Sequence, residues 1–395
     1  MSLRYLFVDV NASFVNPTRN LIPLALLNVG GFRFFGPGYV SSEVLARGLK
    51  AYVEEEGPFD LVVSNTLVLF SDTTDPARYA ATLRAAYAYQ GAPDDLLFLP
   101  IIASQFSSLT CPRAALLLEN DFYNWTAQER DRIEACANYF IGFGEEFSPL
   151  QKEMPHLKEE RFAAFSTDIW ANFVRDRRDQ IASLLHFVSD AEFDLTPLSL
   201  RGESWSVMGV QYHARQVARD ALKAIGVDPV IDSRLRKLVS LFKKTGVLRG
   251  EKRWIQKALN ADFSNRIAAT RYSYTCGSGL MMPIRKFFEI PAAGSVLVCR
   301  PFAGFEAAGF RDGENCIVAE PQNLAEIHAA LKREPDRAEC IARTGQQLVL
   351  NHHSLTARAD DLALIFDSIA EGQFKGSVWQ NGRHRLRARA ERSVA

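Results

Sequence analysis

Residues Tyr274–Gly294 combine a glycine-bearing loop with the start of a short helix. The order along the chain is an apolar strand, the loop residues Gly277, Ser278 and Gly279, and a helix that begins near Pro283. Unpaired backbone N–H groups and the positive end of the helix dipole attract anions, phosphates in particular. The segment therefore has the layout of a diphosphate site.

Three charged residues within the predicted helix extend this chemistry. Arg285 and Lys286 supply cationic donors in its first turn, and Glu289 follows one turn later. An ionised carboxylate at that distance can accept hydrogen bonds from both hydroxyls of a ribose. The three residues and the loop together predict a nucleotide-diphosphate site. The plainer interpretation, a simple loop followed by a solvated Glu289, stays open on composition alone.

Other kinds of site are excluded because their motifs are absent. Residues 11–14, after the first predicted strand, read Asn-Ala-Ser-Phe and not the GxGxxG of a dinucleotide-binding domain. The sequence also lacks a phosphate-binding P-loop, a GxSxG nucleophile elbow, a HExxH helix and any Asp-x-Asp pair. We therefore expect neither a resident cofactor nor a metal ion.

Six cysteines are scattered through the chain without a CxxC pair or a histidine at zinc-ligand spacing. We expect reduced, mostly buried thiols. His352 and His353 are predicted to lie in a polar turn between two helices. The cysteines are Cys111, Cys136, Cys276, Cys299, Cys316 and Cys340.

Length and charge limit the organisation and the partners. The chain has 395 residues, 47% of them hydrophobic, and 46 basic residues balance 46 acidic ones. Single cores rarely exceed about 250 to 300 residues, so two domains are expected. The zero net charge predicts no nucleic-acid partner. No apolar run approaches the about 18 residues of a membrane span, so we expect a cytoplasmic protein.

The first part of the chain alternates apolar runs with segments of helical period, which is typical of a parallel sheet covered by helices. The sequence predicts six strands here, over Tyr5–Val10, Phe32–Phe35, Phe59–Val63, Leu96–Ile102, Ala114–Leu118 and Tyr139–Phe143. Helices are predicted around Thr18–Leu27, from Ser41 or Ser42 onward, and over Pro76–Tyr89 and Ala127–Cys136.

The second part repeats the scheme. Strands are predicted over Ser206–Val210, Ile267–Tyr274, Ser295–Cys299 and Cys316–Ala319, with helices over Ala214–Ile225 and after Asn323, Asp336 and Ser354. The fold class is α/β, with two Rossmann-like domains facing each other across a ligand cleft. The predicted bounds are 1–170 for the first domain, 171–200 for a linker, 201–370 for the second domain, and 371–395 for a C-terminal helix and basic tail.

Residues 271–363 resemble the C-terminal lobe of glycosyltransferases of the GT-B fold. The resemblance is closest to the CgeB-like group, which is itself similar to the retaining family 4 enzymes. It extends more weakly to Gly209–Arg215, Gly36–Gly38 and Phe59–Val63. The stretches that carry it are Arg285–Gly294, Phe310–Val318, Asn323–Ile327 and Arg337–Ala370.

The resemblance implies transfer of a sugar from a nucleotide-diphosphate donor to a polysaccharide, glycolipid or protein acceptor, without a metal. In that family the glutamate matched by Glu289 binds the donor ribose, and basic residues before it contact the diphosphate. Arg215 matches a recurrent arginine that would neutralise the leaving group, and His213 lies two residues before it. His213 is equally compatible with a surface position at a helix start.

One residue departs from the family pattern. Met281 stands where retaining enzymes carry the first glutamate of a Glu-x7-Glu motif, so the stereochemistry of transfer is left open. Two alternatives to sugar transfer stay open. The first, suggested by Met281, is a catalytically inactive GT-B-shaped binding or assembly protein of a cell-surface polymer. The second is a nucleotide-sugar hydrolase or epimerase on the same fold.

A base that accepts the proton of the acceptor hydroxyl is expected among carboxylates, because no histidine precedes His156. Ligands bind at the carboxyl ends of parallel strands, which favours Asp121, then Asp9 and Glu119. The alternative for Asp121 is a helix cap or turn.

The segment Arg234–Lys257 holds nine basic residues and one acidic residue among apolar ones. Three interpretations stay open. It contacts an anionic membrane such as the inner face of the cell membrane, it holds a lipid-linked or phosphorylated acceptor, or it is a solvated helix face.

Overall fold

We describe the fold from a computed structural model. It covers residues 3–14, 17–71, 77, 79–81, 83, 87–89, 91–117, 125–148, 168–210, 212–231, 234–277 and 280–388. Two parallel sheets, each flanked by helices, organise the chain.

The N-terminal sheet has six parallel strands in the order β2-β1-β3-β4-β5-β6. Apart from β2 at the sheet edge, these strands are almost entirely buried apolar runs, as expected where helices cover both faces. The strands are β1 Tyr5–Val8, β2 Phe32–Phe35, β3 Leu61–Asn65, β4 Arg113–Leu117, β5 Tyr139–Gly142 and β6 Ile181–Ser183.

In the described ranges of this part, the helices with given bounds are α1 Pro17–Val29, α2 Ser42–Glu56, α3 Thr66–Leu69, α4 Leu99–Ser107, α5 Ala127–Cys136 and α6 Asp168–Asp176. About half of the predicted helix Pro76–Tyr89 lies outside the described residues. Side-chain caps fix two of the helix starts, of which the one at α2 was predicted from sequence. The Ser41 hydroxyl accepts a hydrogen bond from the backbone N–H of Val44, and Thr126 and Glu129 form a reciprocal capping box.

The C-terminal sheet has four parallel strands in the order β10-β9-β8-β7. The strands are β7 Glu203–Ser206, β8 Thr270–Thr275, β9 Val296–Cys299 and β10 Ile317–Val318. The helices are α7 His213–Ala224, α8 Arg234–Lys244, α9 Arg253–Ala268, α10 Lys286–Ala292, α11 Leu324–Arg333, α12 Pro335–His352 and α13 Leu355–Ala370. The two-sheet α/β architecture predicted from sequence is confirmed.

Two predicted strands are wrong. The strand predicted over Ser206–Val210 shares only Ser206 with β7, and residues 207–210 lie in the loop that follows it. The second error lies in the N-terminal part. Residues 96–102 form the end of a 3-10 turn and the start of α4. The buried side chains recur at helical spacing, Leu96, Leu99 and Ile102, whereas Leu97 and Ile101 are exposed. A short apolar run does not by itself distinguish a strand from a half-buried helix.

The sixth strand of the first sheet comes from the predicted linker instead. Residues 171–200 contain most of α6 and all of β6, and β6 pairs with β5 through Phe140↔Ile181. Only the stretch after β6 connects the two sheets, so the predicted linker is too long at its N-terminal end.

The chain returns to the N-terminal sheet after the second one. Helix α13 packs against α1, although the predicted second domain extends to residue 370. Residues 371–388 contain no helix but an antiparallel hairpin, β11 Ser377–Gln380 and β12 Arg383–Leu386. The Trp379 indole N–H donates to the carbonyl of Ser183 at 2.9 Å, which fixes this hairpin beside β6. Residues 389–395 of the predicted basic tail lie outside the described part.

Two apolar clusters stabilise the chain. The larger one runs from the N-terminal sheet to the near side of the C-terminal sheet, where the rings of Phe147 and Phe302 lie 6.3 Å apart. The smaller one fills the far side of the C-terminal sheet around Trp205 and Tyr272. Among the described residues, no helix is long and apolar enough to cross a membrane.

Candidate functional site

Arg215 lies at the carboxyl end of the C-terminal sheet. It is in the first turn of α7, and its side chain is only 1% exposed. Its Nη1 donates to the carbonyl of Val210 at 3.0 Å, and its Nη2 donates to the hydroxyl of Thr275 at 3.2 Å. The buried Nε has no hydrogen-bond partner within the described chain. The guanidinium is therefore held rigidly and keeps one unsatisfied donor.

Lys286 approaches Arg215 at the start of α10. Between them lies Gly209, whose φ of +104° suits a residue without a side chain. A Cβ atom placed on Gly209 would lie 2.9 Å from Nζ of Lys286 and 3.0 Å from Nη1 of Arg215. Gly209 therefore allows two cations from different helices to meet over the backbone.

The charge around Lys286 is strongly positive. Burial and, next, the nearby Arg215 lower the pKa of Lys286 to about 8, while Glu289 acts in the opposite direction. Its Nζ lies 4.8 Å from the centre of the Phe263 ring. Neither Lys286 nor Arg215 forms a salt bridge with a carboxylate in the described ranges. Two adjacent cations without a carboxylate partner are suited to binding an anion with more than one negative charge.

Arg285 has a different environment from the one predicted. Its Nε donates to the carbonyl of Phe187 at 3.1 Å, and its Nη2 donates to both carboxylate oxygens of Glu192 at 2.6 and 2.8 Å. Its Nη1 bonds to Oε1 of Glu289. Because all three nitrogens are engaged, this geometry argues against the predicted contact of Arg285 with a diphosphate.

Glu289 is buried and lies one helical turn after Arg285. Arg285 occupies its Oε1, and its Oε2 has no hydrogen-bond partner among the residues that the structure describes. One carboxylate oxygen therefore stays available to a ligand hydroxyl. Ribose binding by Glu289 stays a prediction. Only Oε2, and not both carboxylate oxygens, would accept a hydrogen bond from the ribose.

The loop before α10 is closed by its own backbone. The N–H of Met282 donates to the carbonyl of Gly277 at 2.7 Å. A Cβ on Gly277 would lie 2.8 Å from backbone atoms of Met282, so this position requires glycine. Met281 has a φ of +49°, a conformation uncommon for a residue with a side chain. Ser278 and Gly279 lie outside the described residues.

In the N-terminal sheet, Asp9 lies just past the carboxyl end of β1, as predicted. It is 4% exposed, and its Oδ1 accepts a hydrogen bond from the N–H of Val10 at 2.7 Å. Continuing the register Val8↔Ser64 by one residue places Asn65 opposite Asp9. Asp121 and Glu119, the other predicted carboxylates, lie outside the described residues.

The Tyr39 hydroxyl is affected by charges from both parts of the chain. Burial raises its pKa, and Asp9 raises it further. Arg253, the first residue of α9, acts in the opposite direction.

Of the remaining predicted residues, His213 is the first residue of α7 and is exposed. His353, predicted in a polar turn, is instead fully buried, and its Nε2 lies 2.9 Å from the carbonyl of Ala308.

Three residues of the site were missed by sequence reasoning. Arg219 donates to the carbonyl of Val207 at 2.8 Å and holds the loop after β7. Its spacing of four residues from Arg215 on one helix is a signal that could have found it. Asn65 is 2% exposed with an unpartnered Nδ2. Neither Asn65 nor Glu192 has a comparable sequence signal.

Within the ranges given above, no group of three or more histidine, cysteine, aspartate or glutamate side chains is placed to hold a metal ion. The cations Arg215 and Lys286 are the groups that this part of the chain offers to an anionic ligand.

Comparison with known proteins agrees with this geometry. Residues 234–363 match the glycosyl transferase-like family. No curated protein matches the chain by sequence. The match runs from the start of α8 into α13 and thus includes Lys286 and Glu289.

Solved structures match over both lobes. HepE from Anabaena in complex with UDP is 12% identical, with 93% of this chain and 100% of that chain covered and a TM-score of 0.52. A glycosyltransferase from Rickettsia africae is 13% identical, with 93% and 99% covered and a TM-score of 0.52. HepE in complex with UDP-glucose is 14% identical, with 93% and 100% covered and a TM-score of 0.50.

The fold is that of GT-B glycosyltransferases, built from two Rossmann-like domains, and residues 234–363 are similar to the glycosyl transferase-like family. The predicted resemblance to GT-B glycosyltransferases is thereby confirmed, whereas the CgeB-like group stays a prediction.

Proposed function

We propose that the protein transfers a sugar from a uridine diphosphate sugar to an acceptor hydroxyl, with Arg215 and Lys286 holding the diphosphate. The observation that carries this proposal is the approach of these two cations over Gly209, with a buried donor of Arg215 left unsatisfied. The uridine nucleotide is proposed because HepE, which shares the fold, has been crystallised with UDP and UDP-glucose.

The two cations would act mainly on the leaving group. Negative charge grows on the diphosphate as the glycosidic bond breaks, and preorganised donors stabilise it without having to rearrange. Removing one such donor typically costs about 2.7 to 4 kcal/mol of activation free energy. Arg215 is suited to this task, since Val210 and Thr275 already fix its guanidinium.

The remaining roles are proposals of the same kind. The free Oε2 of Glu289 accepts a hydrogen bond from a ribose hydroxyl. The base is Asp121, Asp9 or Glu119, and the acceptor is a polysaccharide, a glycolipid or a protein. Cytoplasmic location and membrane contact through Arg234–Lys257 are proposals too.

We further propose that transfer needs no metal ion, because Arg215 and Lys286 would supply the positive charge at the diphosphate. Turnover is expected to persist in excess EDTA. Loss of turnover on chelation, restored by manganese or magnesium, would contradict this part of the proposal.

Nucleotide binding is the decisive measurement. UDP, GDP, CDP and dTDP are compared by thermal shift and calorimetry, since a ligand at 100 times its dissociation constant stabilises by about 2.7 kcal/mol. UDP is expected to stabilise the protein. Arg215→Gln and Lys286→Gln are expected to abolish the effect, whereas Lys332→Gln, which changes an exposed cation on α11, should preserve it.

The alternatives give different results in the same assays. No stabilisation by any nucleotide would overturn the proposal and favour a GT-B-shaped binding protein. Release of UDP from UDP-glucose at the same rate with and without any acceptor would indicate a hydrolase.

A further inference from the structure

The hairpin formed by α8, α9 and the loop between them exposes unusually many large apolar side chains. Of the sixteen exposed large hydrophobic residues in the described chain, five fall within residues 238–254. They are Leu238 (47% exposed), Leu241 (54%), Phe242 (40%), Val247 (75%) and Trp254 (70%). Clustered exposure of this kind marks an interaction surface, whereas single exposed residues are ordinary.

The same hairpin is strongly basic. Residues 234–257 contain nine lysines and arginines and a single acid, Glu251, in a chain whose formal net charge is zero. Glu251 is bonded to Lys243, and the side chains of Lys237, Lys244, Arg249 and Lys252 are exposed. The positive charge is therefore concentrated where the apolar side chains protrude.

The hairpin is ordered without being buried. Val239 on α8 is buried, and the N–H of Leu248 donates to the carbonyl of Phe242 at 3.0 Å. The Gln256 side-chain amide donates to Glu251 at 2.6 Å, which fixes the loop against α9. Leu238, Leu241 and Phe242 follow helical i, i+3, i+4 spacing and share one face of α8.

We propose that this hairpin docks on an anionic lipid bilayer, with its apolar side chains inserted into the interfacial region and its lysines and arginines at the headgroups. Basic helices with protruding leucine, phenylalanine and tryptophan bind such surfaces through buried apolar area and attraction to anionic lipids. A nucleic acid would use the cations but would leave the apolar side chains in water. The bilayer satisfies both features.

Docking through this hairpin would set the orientation of the proposed diphosphate site relative to the bilayer. Along α9, Trp254 and Phe263 are separated by about 14 Å at the rise of an α-helix. The Phe263 ring contacts Lys286 at the proposed diphosphate site. The bilayer surface would thus lie beside the cleft, within reach of the donor end. The docking itself does not depend on the proposed function.

Trp254 offers a direct probe. The other four tryptophans, Trp125, Trp170, Trp205 and Trp379, are at most 5% exposed. Vesicles of phosphatidylcholine with phosphatidylglycerol are expected to shift the emission of Trp254 to shorter wavelength and to protect it from acrylamide, and vesicles of phosphatidylcholine alone should do neither. Trp254→Phe should remove the spectral change but leave vesicle co-sedimentation measurable.

Matched variants separate the contribution of the apolar side chains to membrane binding from that of the basic side chains. Leu241→Ser with Phe242→Ser should lower the vesicle partition coefficient at least about tenfold, because two large apolar side chains no longer leave water. Lys244→Gln and Arg249→Gln should each lower it about fivefold. Leu195→Ser with Leu200→Ser, which changes side chains 84% and 74% exposed outside the hairpin, should have no effect.

Three results would overturn the proposal: no co-sedimentation with anionic vesicles, co-sedimentation without a change in Trp254 emission, or preferential binding of the hairpin to nucleic acid. UDP affinity of the same variants is measured by calorimetry without vesicles. It is expected to be unchanged, so a failure of docking is distinguishable from a failure of nucleotide binding.

Discussion

Arg285 donates from Nη2 to both carboxylate oxygens of Glu192, at 2.6 and 2.8 Å. Glu192 lies in the segment that connects the two sheets, and Arg285 directly precedes α10 in the C-terminal lobe. Burial raises the pKa of Glu192, and the charge of Arg285 opposes that shift. The guanidinium, which also binds Glu289, therefore ties the connecting segment to the helix that carries Lys286.

We expect Arg285→Met to destabilise the protein by about 3 to 5 kcal/mol, because it leaves two buried carboxylates without their partner. Urea unfolding measures this loss. Arg300→Met is the matched control, since its partner Glu320 is half-exposed and such a pair contributes at most about 1 kcal/mol. A normally stable Arg285→Met protein that has lost UDP affinity would restore the diphosphate role predicted from sequence.

Glu289 is tested by comparing UDP with 2′-deoxy-UDP and 3′-deoxy-UDP. A hydrogen bond from a ribose hydroxyl to a carboxylate contributes about 1.5 to 3 kcal/mol, so the wild-type protein should prefer UDP to one of the deoxy compounds by about tenfold or more. In Glu289→Gln this preference should shrink. Calorimetry of all three ligands decides it. The same discrimination in both proteins would place the ribose elsewhere.

Lys286 makes nucleotide binding depend on pH. With its pKa lowered to about 8, Lys286 loses its charge as the pH rises through that value, and a bound diphosphate favours the charged form. UDP affinity should therefore fall by about tenfold between pH 7 and pH 9, with proton uptake on binding. Calorimetry in buffers of different ionisation enthalpy measures the uptake. In Lys286→Arg the pH dependence should disappear, and its persistence there would exclude Lys286 as the cause.

The sequence predicts the strand and helices of this site better than the contacts between their side chains. The strand before the loop, the helix near Arg285 and the α7 arginine follow from local periodicity, glycine placement and the resemblance, and each lies close to its predicted position. Sequence cannot place Glu192 beside Arg285, because 93 residues separate them. The charge pattern of Arg285, Lys286 and Glu289 therefore suggested two phosphate-binding cations, although Arg285 is used to tie the connecting segment to α10.

In the fold, too, locally encoded elements were predicted correctly, whereas long-range strand pairing was not. Strands β2 to β5 and helix α5 were found because their apolar runs or capping residues act locally. The strand predicted at residues 96–102 and the missed strand β6 are linked errors, since both count as the sixth strand of one sheet. Which apolar run completes a sheet depends on packing between distant segments, and that information is not local.

Three buried histidines should make the protein sensitive to acid. Burial lowers the pKa of His186 and of His384 to about 3 each, and that of His353 well below its usual value. A lowered histidine pKa contributes stability above about pH 6.5 that is lost as the pH falls. For His186 the loss is about 2 kcal/mol at pH 5.

Asp361 acts in the opposite direction. Its pKa is raised to about 6, chiefly by burial, so its contribution is present below about pH 4 and is lost as the pH rises through 6. Three histidines outweigh one aspartate, and urea unfolding should show lower stability at pH 5 than at pH 7.5. His186→Phe should reduce this difference. An equal difference in the variant would mean that His186 does not set it.

The proton acceptor is tested with a pair of isosteric variants. Asp121→Asn keeps size and capping ability but removes basicity, and loss of a general base should lower turnover by about a hundredfold to ten-thousandfold with little change in UDP affinity. Asp9→Asn is the matched variant, because Asp9 lies at the carboxyl end of β1 and already accepts a hydrogen bond from Val10. Turnover and UDP affinity are measured for both. A large loss in Asp9→Asn alone would move the base to β1, next to Asn65. Near-normal turnover in both variants would instead favour proton transfer to the leaving phosphate, which Arg215 and Lys286 are proposed to hold.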